Sequence, residues 1–264
     1  IKDSLEKAEK VPDRFKLNIA EQYVSSLRKF LDGIDDIKKY DIAGSFRRRK
    51  DTVGDIDILA AVKQGSDVNK KFTGYKDIDK VISTGKKKSS VILKSGLQVD
   101  FRIIHAVSYG AALMYFTGSK AHTVKLRNMA NENDWSLNEY GLYEDDDRIA
   151  GKTEKSVYKK FGLKYIAPEL RENRGEFKAA ENGDLPDLIE QNDIKGDLHT
   201  HTDATDGKDS LKDMVKAAED MGYDYFAVTE HTKHVGVAGG LNENELKKLF
   251  KKIDNVQKKH DKIK

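Results

Sequence analysis

Two aspartates spaced by one residue, Asp55 and Asp57, stand in the stretch GSFRRRKDTVGDIDIL (residues 44–59), just downstream of three consecutive arginines. In a strand, residues two apart point to the same side. The two carboxylates therefore project together, while Ile56 and Ile58 face a core. Carboxylates held side by side repel unless a proton or a cation lies between them. Hard oxygen donors of this kind suit Mg²⁺, which keeps positions open for phosphate oxygens. The upstream end suits an anion. Gly44-Ser45 falls where a strand should turn into a helix, and the first N–H groups of a helix attract phosphate. Ser45 adds a hydroxyl, one or two of Arg47, Arg48 and Arg49 add a guanidinium fork, and Gly54 lets a phosphate approach the backbone. One short stretch thus offers a phosphate-holding end and a metal-holding end.

A second set of metal-ligand types lies far downstream, in GDLHTHTDATDG (196–207) and TEHT (229–232). His199 and His201, again two apart, put two imidazoles on one face of a strand, and with Asp206 and His231 they form a partial metal cluster. His234 and His260 are assigned to the surface, and His105 and His122 receive no role.

The elements that must position these groups follow from periodicity. Leu17, Ala20, Val24, Leu27 and Leu31 predict an amphipathic helix over 16–31. KKYDIAGS and GDIDILAAV read as strands, and SSVILKSGLQVDFRII as a hairpin turning at Ser95 and Gly96. Helical patterns follow in AVSYGAALMYF, HTVKLRNMANEN and TEKSVYKKFG, with a mixed region between the last two. Residues 176–195 are weakly periodic, with Gly183, Pro186 and several acids, and read as a linker with short helical turns. From Gly196 the order is strand, helix, strand, helix, which favours a parallel sheet but stops after two units, too few to close a barrel.

The chain has 264 residues, enough for one large domain or two ordinary ones. It contains no cysteine, so disulfides and thiolate metal sites are excluded. No apolar run approaches the ~20 residues of a membrane span, and IKDSLEKAEK has no signal-peptide core, so the expected location is cytoplasmic, away from membranes. Residues 1–175 carry 34 basic against 26 acidic side chains, and residues 176–264 carry 14 against 19. The basic first part suits a polyanion such as nucleic acid.

GSFRRRKDTVGDIDIL resembles the signature of the nucleotidyltransferase superfamily, and specifically of family X DNA polymerases such as DNA polymerase beta. GLQVDFR is similar to that family's third-carboxylate strand and makes Asp100 the match. YFTGSKAHTVKLR is similar to its nucleotide-pocket wall, and the two histidine stretches resemble the first two motifs of a PHP phosphoesterase domain. The resemblance runs over nearly the whole chain. It implies an α+β nucleotidyltransferase palm with a mixed sheet (1–105), a small α/β nucleotide-binding subdomain (106–175), a linker (176–195), and the start of an α/β PHP barrel-like domain (196–264).

The implied activity is template-directed addition of a deoxynucleotide to a primer 3′-hydroxyl, on primer-template or gapped DNA, with dNTP as substrate, by a monomer. Two Mg²⁺ or Mn²⁺ ions are implied. By two-metal logic Asp55 and Asp57 bridge both, and Asp100 binds the ion that activates the hydroxyl. Gly44, Ser45, Arg48 and Gly54 match positions that hold triphosphate. Tyr115, Phe116 and Gly118 match residues lining the sugar. Arg127 matches a template contact, Lys120 lies on the same segment, and Thr123 stands where the family commonly has Asn. Arg102 shares a strand face with Asp100 and steers the carboxylates, although an Asp-x-Arg pair also forms an ordinary salt bridge. His199, His201, Asp206 and His231 match PHP ligands for Zn²⁺ or Mn²⁺, part of a 3′–5′ exonuclease or phosphoesterase centre.

The chain reads as an internal piece of a longer protein, without the lyase-like and helix-hairpin-helix segments that precede the palm in relatives. Weak duplex binding and no exonuclease activity are expected of it. Two alternatives stay open: a template-independent nucleotidyltransferase, and a DNA-binding module with lapsed catalysis. A third, in which the PHP part is the main enzyme, fits a partial ligand set least.

Overall fold

The computed structural model describes residues 14–264, which divide between Leu185 and Pro186 into two compact units. The N-terminal stretch in which no signal-peptide core was expected, and the start of the expected palm, lie outside the described residues.

In the first unit β1 (Phe15–Lys16) leads into α1 (Leu17–Asp32), β2 (Ile37–Ile42) and the single turn of α2 (Gly44–Arg47). Then come β3 (Thr52–Val53), β4 (Asp55–Val62), α3 (Val68–Thr73), β5 (Ile78–Thr84), β6 (Lys88–Leu93) and β7 (Gln98–Ile103). Five of these strands form one sheet in the order β2-β4-β7-β6-β5. The sheet is mixed: β4 and β7 run parallel, and the other neighbours are antiparallel. The hairpin turns where Gly96 takes φ +88°, a conformation open to glycine.

Strand periodicity sorts the sheet into two faces. On one, Ile56, Ile58 and Ala60 of β4 and Val99 and Phe101 of β7 meet the apolar stripe of α1, where Ala20, Val24, Leu27 and Leu31 are all buried. Burying Leu27 and Leu31 contributes roughly 1.5–3 kcal/mol each. On the other, Leu59 and Ala61 pack against Tyr109, Ala112 and Leu113 of α4 (Tyr109–Thr117). Asp55, Asp57, Asp100 and Arg102 belong to this second face, because each lies an even number of residues from Leu59 or from its partner Arg102 in the parallel register. The apolar helix thus packs on one part of this face, and the charged residues occupy the other.

The unit continues with α5 (Lys120–Asn131), a meander of β8 (Trp135–Asn138), β9 (Gly141–Glu144) and β10 (Asp147–Ala150), then α6 (Glu154–Lys160) and α7 (Glu176–Asn182). A second core joins Met114, Leu126, Leu142, Val157, Tyr158, Phe177 and Ala180. Here the reading of 176–195 as a linker is corrected. Phe177 and Ala180 place α7 inside this core, and its terminal Gly183 takes φ +85° to end the helix. Pro186 opens the next unit.

The second unit contains β11 (Gly196–Thr200), α8 (Leu211–Asp220), β12 (Tyr225–Val228) and α9 (Glu243–Gln257). β11 and β12 pair in parallel, as the strand-helix-strand order requires. Leu211, Val215, Ala218 and Ile263 form its core.

Candidate active site

The parallel register between β4 and β7 sets Asp57 directly beside Asp100, and Asp55 beside Gln98. Three carboxylates separated by up to 45 residues in sequence therefore share one end of one sheet face. They are not alike. Burial first, then the neighbouring Asp55 carboxylate, pushes the Asp57 carboxyl up to about 6, with Arg102 working against the rise. Asp100 goes the other way. Burial would raise it, but hydrogen bonds from Lys88, Ser90 and Gln98 outweigh that and hold it below the usual carboxylate range. Lys88 Nζ stands 2.6 Å from Asp100 Oδ2, Arg102 Nη2 3.0 Å from the same oxygen, and Gln98 Nε2 3.2 Å from Oδ1.

Arg102 is held in place by its ring partner. Its guanidinium lies over Phe116, 4.3 Å from the ring centroid, and its buried Nε has no hydrogen-bond partner among the described residues. Asp57 Oδ1 lies 3.8 Å from that nitrogen. The arginine thus does more than form a local pair with Asp100: it reaches both carboxylates.

The three arginines separate cleanly. Arg47 points into the protein and grips Glu154 with two 2.7 Å bonds, adding a third to Thr117 Oγ1. Arg49, at φ +55°, turns outward toward Glu21. Arg48 faces a cleft, where its Nη1 donates to the Thr117 carbonyl at 2.6 Å and its Nε to Glu172 at 2.9 Å. Gly44 must be glycine: it takes φ +63°, and a Cβ there would stand 3.0 Å from Asp57 Oδ2.

The cleft holds about 540 Å³. Asp55 and Asp57 form one part of its wall, Gly44, Ser45 and Arg48 another, and Tyr115, Phe116 and Gly118 a third. Lys120, Thr123 and Arg127 come from one stripe of α5, at the three- and four-residue spacing that aligns side chains on a helix. Asp100 and Arg102 lie behind this lining, and Gly54 is not part of it. Arg14 covers Gly54 instead, anchored on Thr52, with Nη1 3.1 Å from where a Cβ would be. Arg14 and Lys88 escaped the sequence reading. Neither sits in a recognisable spacing, and each reaches the site only through strand pairing.

His122, left without a role by sequence, is completely buried behind this stripe. Nδ1 lies 2.8 Å from Glu176 and Nε2 2.9 Å from the Tyr158 hydroxyl, so it ties α5 to α6 and α7. Burial pushes its pKa down to about 4.

In the second unit, ligand atoms of His201, Asp206 and His231 lie within 4.8 Å of one another. His199 joins through its Nε2, 3.1 Å from that of His201. The His201 and His231 rings stack at 4.4 Å, and buried His201 Nδ1 has no hydrogen-bond partner among the described residues. Glu230, which the sequence reading passed over, pins the loop by accepting from Thr202 N at 2.7 Å and from the Thr205 hydroxyl. His260, expected at the surface, instead bonds Glu219 at 2.8 Å and is only 15% exposed.

Family models match this layout in three pieces: DNA polymerase beta palm over residues 17–112, DNA polymerase beta thumb over 112–172, and PHP domain over 197–263. The DNA polymerase/3′-5′ exonuclease PolX of Bacillus subtilis is 36% identical over 258 residues, covering 96% of this chain and 45% of that protein. The chain belongs to the family X DNA polymerases. It spans about half the length of that curated relative. The Repair DNA polymerase X of African swine fever virus is 24% identical over 176 residues, covering 64% of this chain and 98% of that protein. Leishmania infantum polymerase beta, solved as a ternary P/T complex, matches with a TM-score of 0.54 and 21% identity over 62% of this chain and 78% of that one. That likeness bears on fold, and the fold agrees: a nucleotidyltransferase palm with a mixed sheet, followed by a PHP-domain segment.

Proposed function

We propose that this chain catalyses template-directed transfer of a deoxynucleotide to a primer 3′-hydroxyl in gapped or primed DNA, as a repair-type polymerase. One observation carries the reading. A single cleft joins the Asp55/Asp57 carboxylate pair to the Gly44-Ser45 turn with Arg48 and to the Tyr115/Phe116 aromatic pair. The donor set fits hard divalent cations: Asp55 and Asp57 stand side by side, and burial first, with the Asp55 charge second, pushes the Asp57 carboxyl up to about 6. Family X polymerases and PHP domains are metal-dependent. Asp55, Asp57 and Asp100 would hold two Mg²⁺ or Mn²⁺ ions, which when bound supply positive charge to the triphosphate and make the primer hydroxyl a better nucleophile.

The chain's own residues do the rest. Ser45 and Arg48 hold the triphosphate, with Glu172 and the Thr117 carbonyl fixing the Arg48 fork. Tyr115, Phe116 and Gly118 line the sugar, so bulk at C2′ disfavours ribose. Lys120, Thr123 and Arg127 present one helical stripe to the DNA. Arg102 sets the orientation of Asp57 and Asp100. We assign the substrates as dNTP and primer-template DNA, and the working form as a cytoplasmic monomer. Among the described residues no helix is long and apolar enough to cross a membrane.

The His201, Asp206 and His231 cluster, to which His199 also contributes, would hold a metal ion as part of a phosphoesterase centre, and as a partial ligand set it is not expected to degrade a primer by itself. Two imidazoles and a carboxylate suit Zn²⁺ or Mn²⁺.

The test is extension of a primer across a one-nucleotide gap, with each dNTP singly, in Mg²⁺ and in Mn²⁺, beside Asp57→Ala. Incorporation should follow the template base and vanish in the variant. Incorporation indifferent to the template would point to an untemplated nucleotidyltransferase. DNA binding without incorporation would overturn the catalytic reading.

A further inference from the structure

The positive charge around the three carboxylates is unevenly shared. Asp100 Oδ2 alone receives two cations, Lys88 at 2.6 Å and Arg102 at 3.0 Å. Asp57 has Arg102 at 3.8 Å, and Asp55 is exposed with no ion pair among the described residues. An ion held by Asp100 would have to share an oxygen that is already doubly engaged, whereas one held between Asp55 and Asp57 displaces nothing.

The two cations on Asp100 differ in how readily they leave. Arg102 is stacked on Phe116 and mostly buried. Lys88 opens β6 opposite Arg102, directly after the Lys86-Lys87 turn, and its side chain is 40% exposed while that of Asp100 is 8% exposed. A flexible ammonium with water beside it gives up a carboxylate far more easily than a stacked guanidinium does.

We propose that Lys88 is a displaceable counter-cation that keeps Asp100 aimed at the cleft and must swing away before a divalent ion is held there. Lys88 is thus a positioning residue, and it imposes an order: the Asp55/Asp57 pair is open to a cation first, and Asp100 only after Lys88 has moved. The inference rests on the polymerase reading of the carboxylates and adds a residue that the motifs do not contain.

Mn²⁺ binding to the full chain tests it, read by loss of the free-ion EPR signal, without DNA or nucleotide. His201→Ala/His231→Ala serves as background so that the second cluster does not contribute. Removing one positive charge beside a divalent ion raises affinity on the order of 10-fold even at the dielectric of water. Lys88→Met in that background should show this gain, Lys88→Arg and Lys87→Met should stay within about 2-fold of it, and adding Asp100→Asn should abolish the gain. If Lys88→Met alters the Trp135 unfolding midpoint, Lys88→Gln replaces it. Equal affinity in background and Lys88→Met, or an equal gain in Lys87→Met, overturns the proposal while leaving the polymerase reading intact. If the background shows no Mn²⁺ binding that Asp57→Asn removes, both fail together.

Discussion

Glu154 stands at the junction of the motif arginines and the second core, and its removal is the sharpest test of how the cleft is held. Its carboxylate accepts two bonds from Arg47, one from Arg171 and one from the Tyr165 hydroxyl, at 2.7, 2.7, 2.7 and 3.2 Å. Both Glu154 and Arg171 are buried, Arg171 completely. Burial acts to raise the Glu154 carboxyl, but Arg47 and Arg171 outweigh it and bring it down to about 2 from 4.5. A displacement of that size corresponds to about 3 kcal/mol of stability at neutral pH. Deleting one partner of a buried ion cluster independently costs about 3–5 kcal/mol, because charges are left without a counter-ion. Glu154→Gln should therefore lower stability by about 3 kcal/mol. Urea unfolding followed by Trp135 fluorescence reads this directly, since Trp135 is the sole tryptophan and packs on the second core. The folded carboxyl lies below its unfolded value, so its contribution is complete above about pH 4.5 and is lost as pH falls through about 2. The difference between native chain and variant should shrink over that range. Glu21→Gln, which breaks exposed pairs with Arg28 and Arg49, should cost less than about 0.5 kcal/mol. A Glu154→Gln loss no larger than that of Glu21→Gln, or a difference independent of pH, would refute the reasoning.

Two further outcomes follow from local geometry. A Cβ on Gly110 would stand 2.1 Å from the Thr153 carbonyl carbon, so Gly110→Ala should destabilise the first unit by about 1–3 kcal/mol or more in the same urea assay, and a neutral result would count against the α4–α6 approach. His122 stays neutral to about pH 4 while the unfolded chain protonates near 6.5, so stability should fall as pH drops from 6.5 to 4. His122→Gln should flatten that slope, and an unchanged slope would show that another group titrates there.

Much of the site was legible without coordinates, because it depends on short-range rules. Period-two alternation alone puts Asp55 and Asp57 on one face and Ile56 and Ile58 on the other, and the 3.6-residue stripe of α1 is equally local. The strand-helix-strand-helix order at the end of the chain already implied parallel pairing of β11 and β12. Other features left no local trace. β5 is an edge strand whose residues after Ile78 are all exposed, so no alternation marked it. α7 looks like a linker until Phe177 meets His122 and Glu176 its ring nitrogen. Among the three arginines, composition cannot choose. Arg47 is taken inward by Glu154, 107 residues away, and Arg48 is steadied at the cleft by Glu172, 124 residues away. Lys88 reaches Asp100 only because β6 is paired with β7. Periodicity records which side of its own element a residue faces. Which charge it meets there depends on how distant segments pack, and burial makes that choice costly to get wrong.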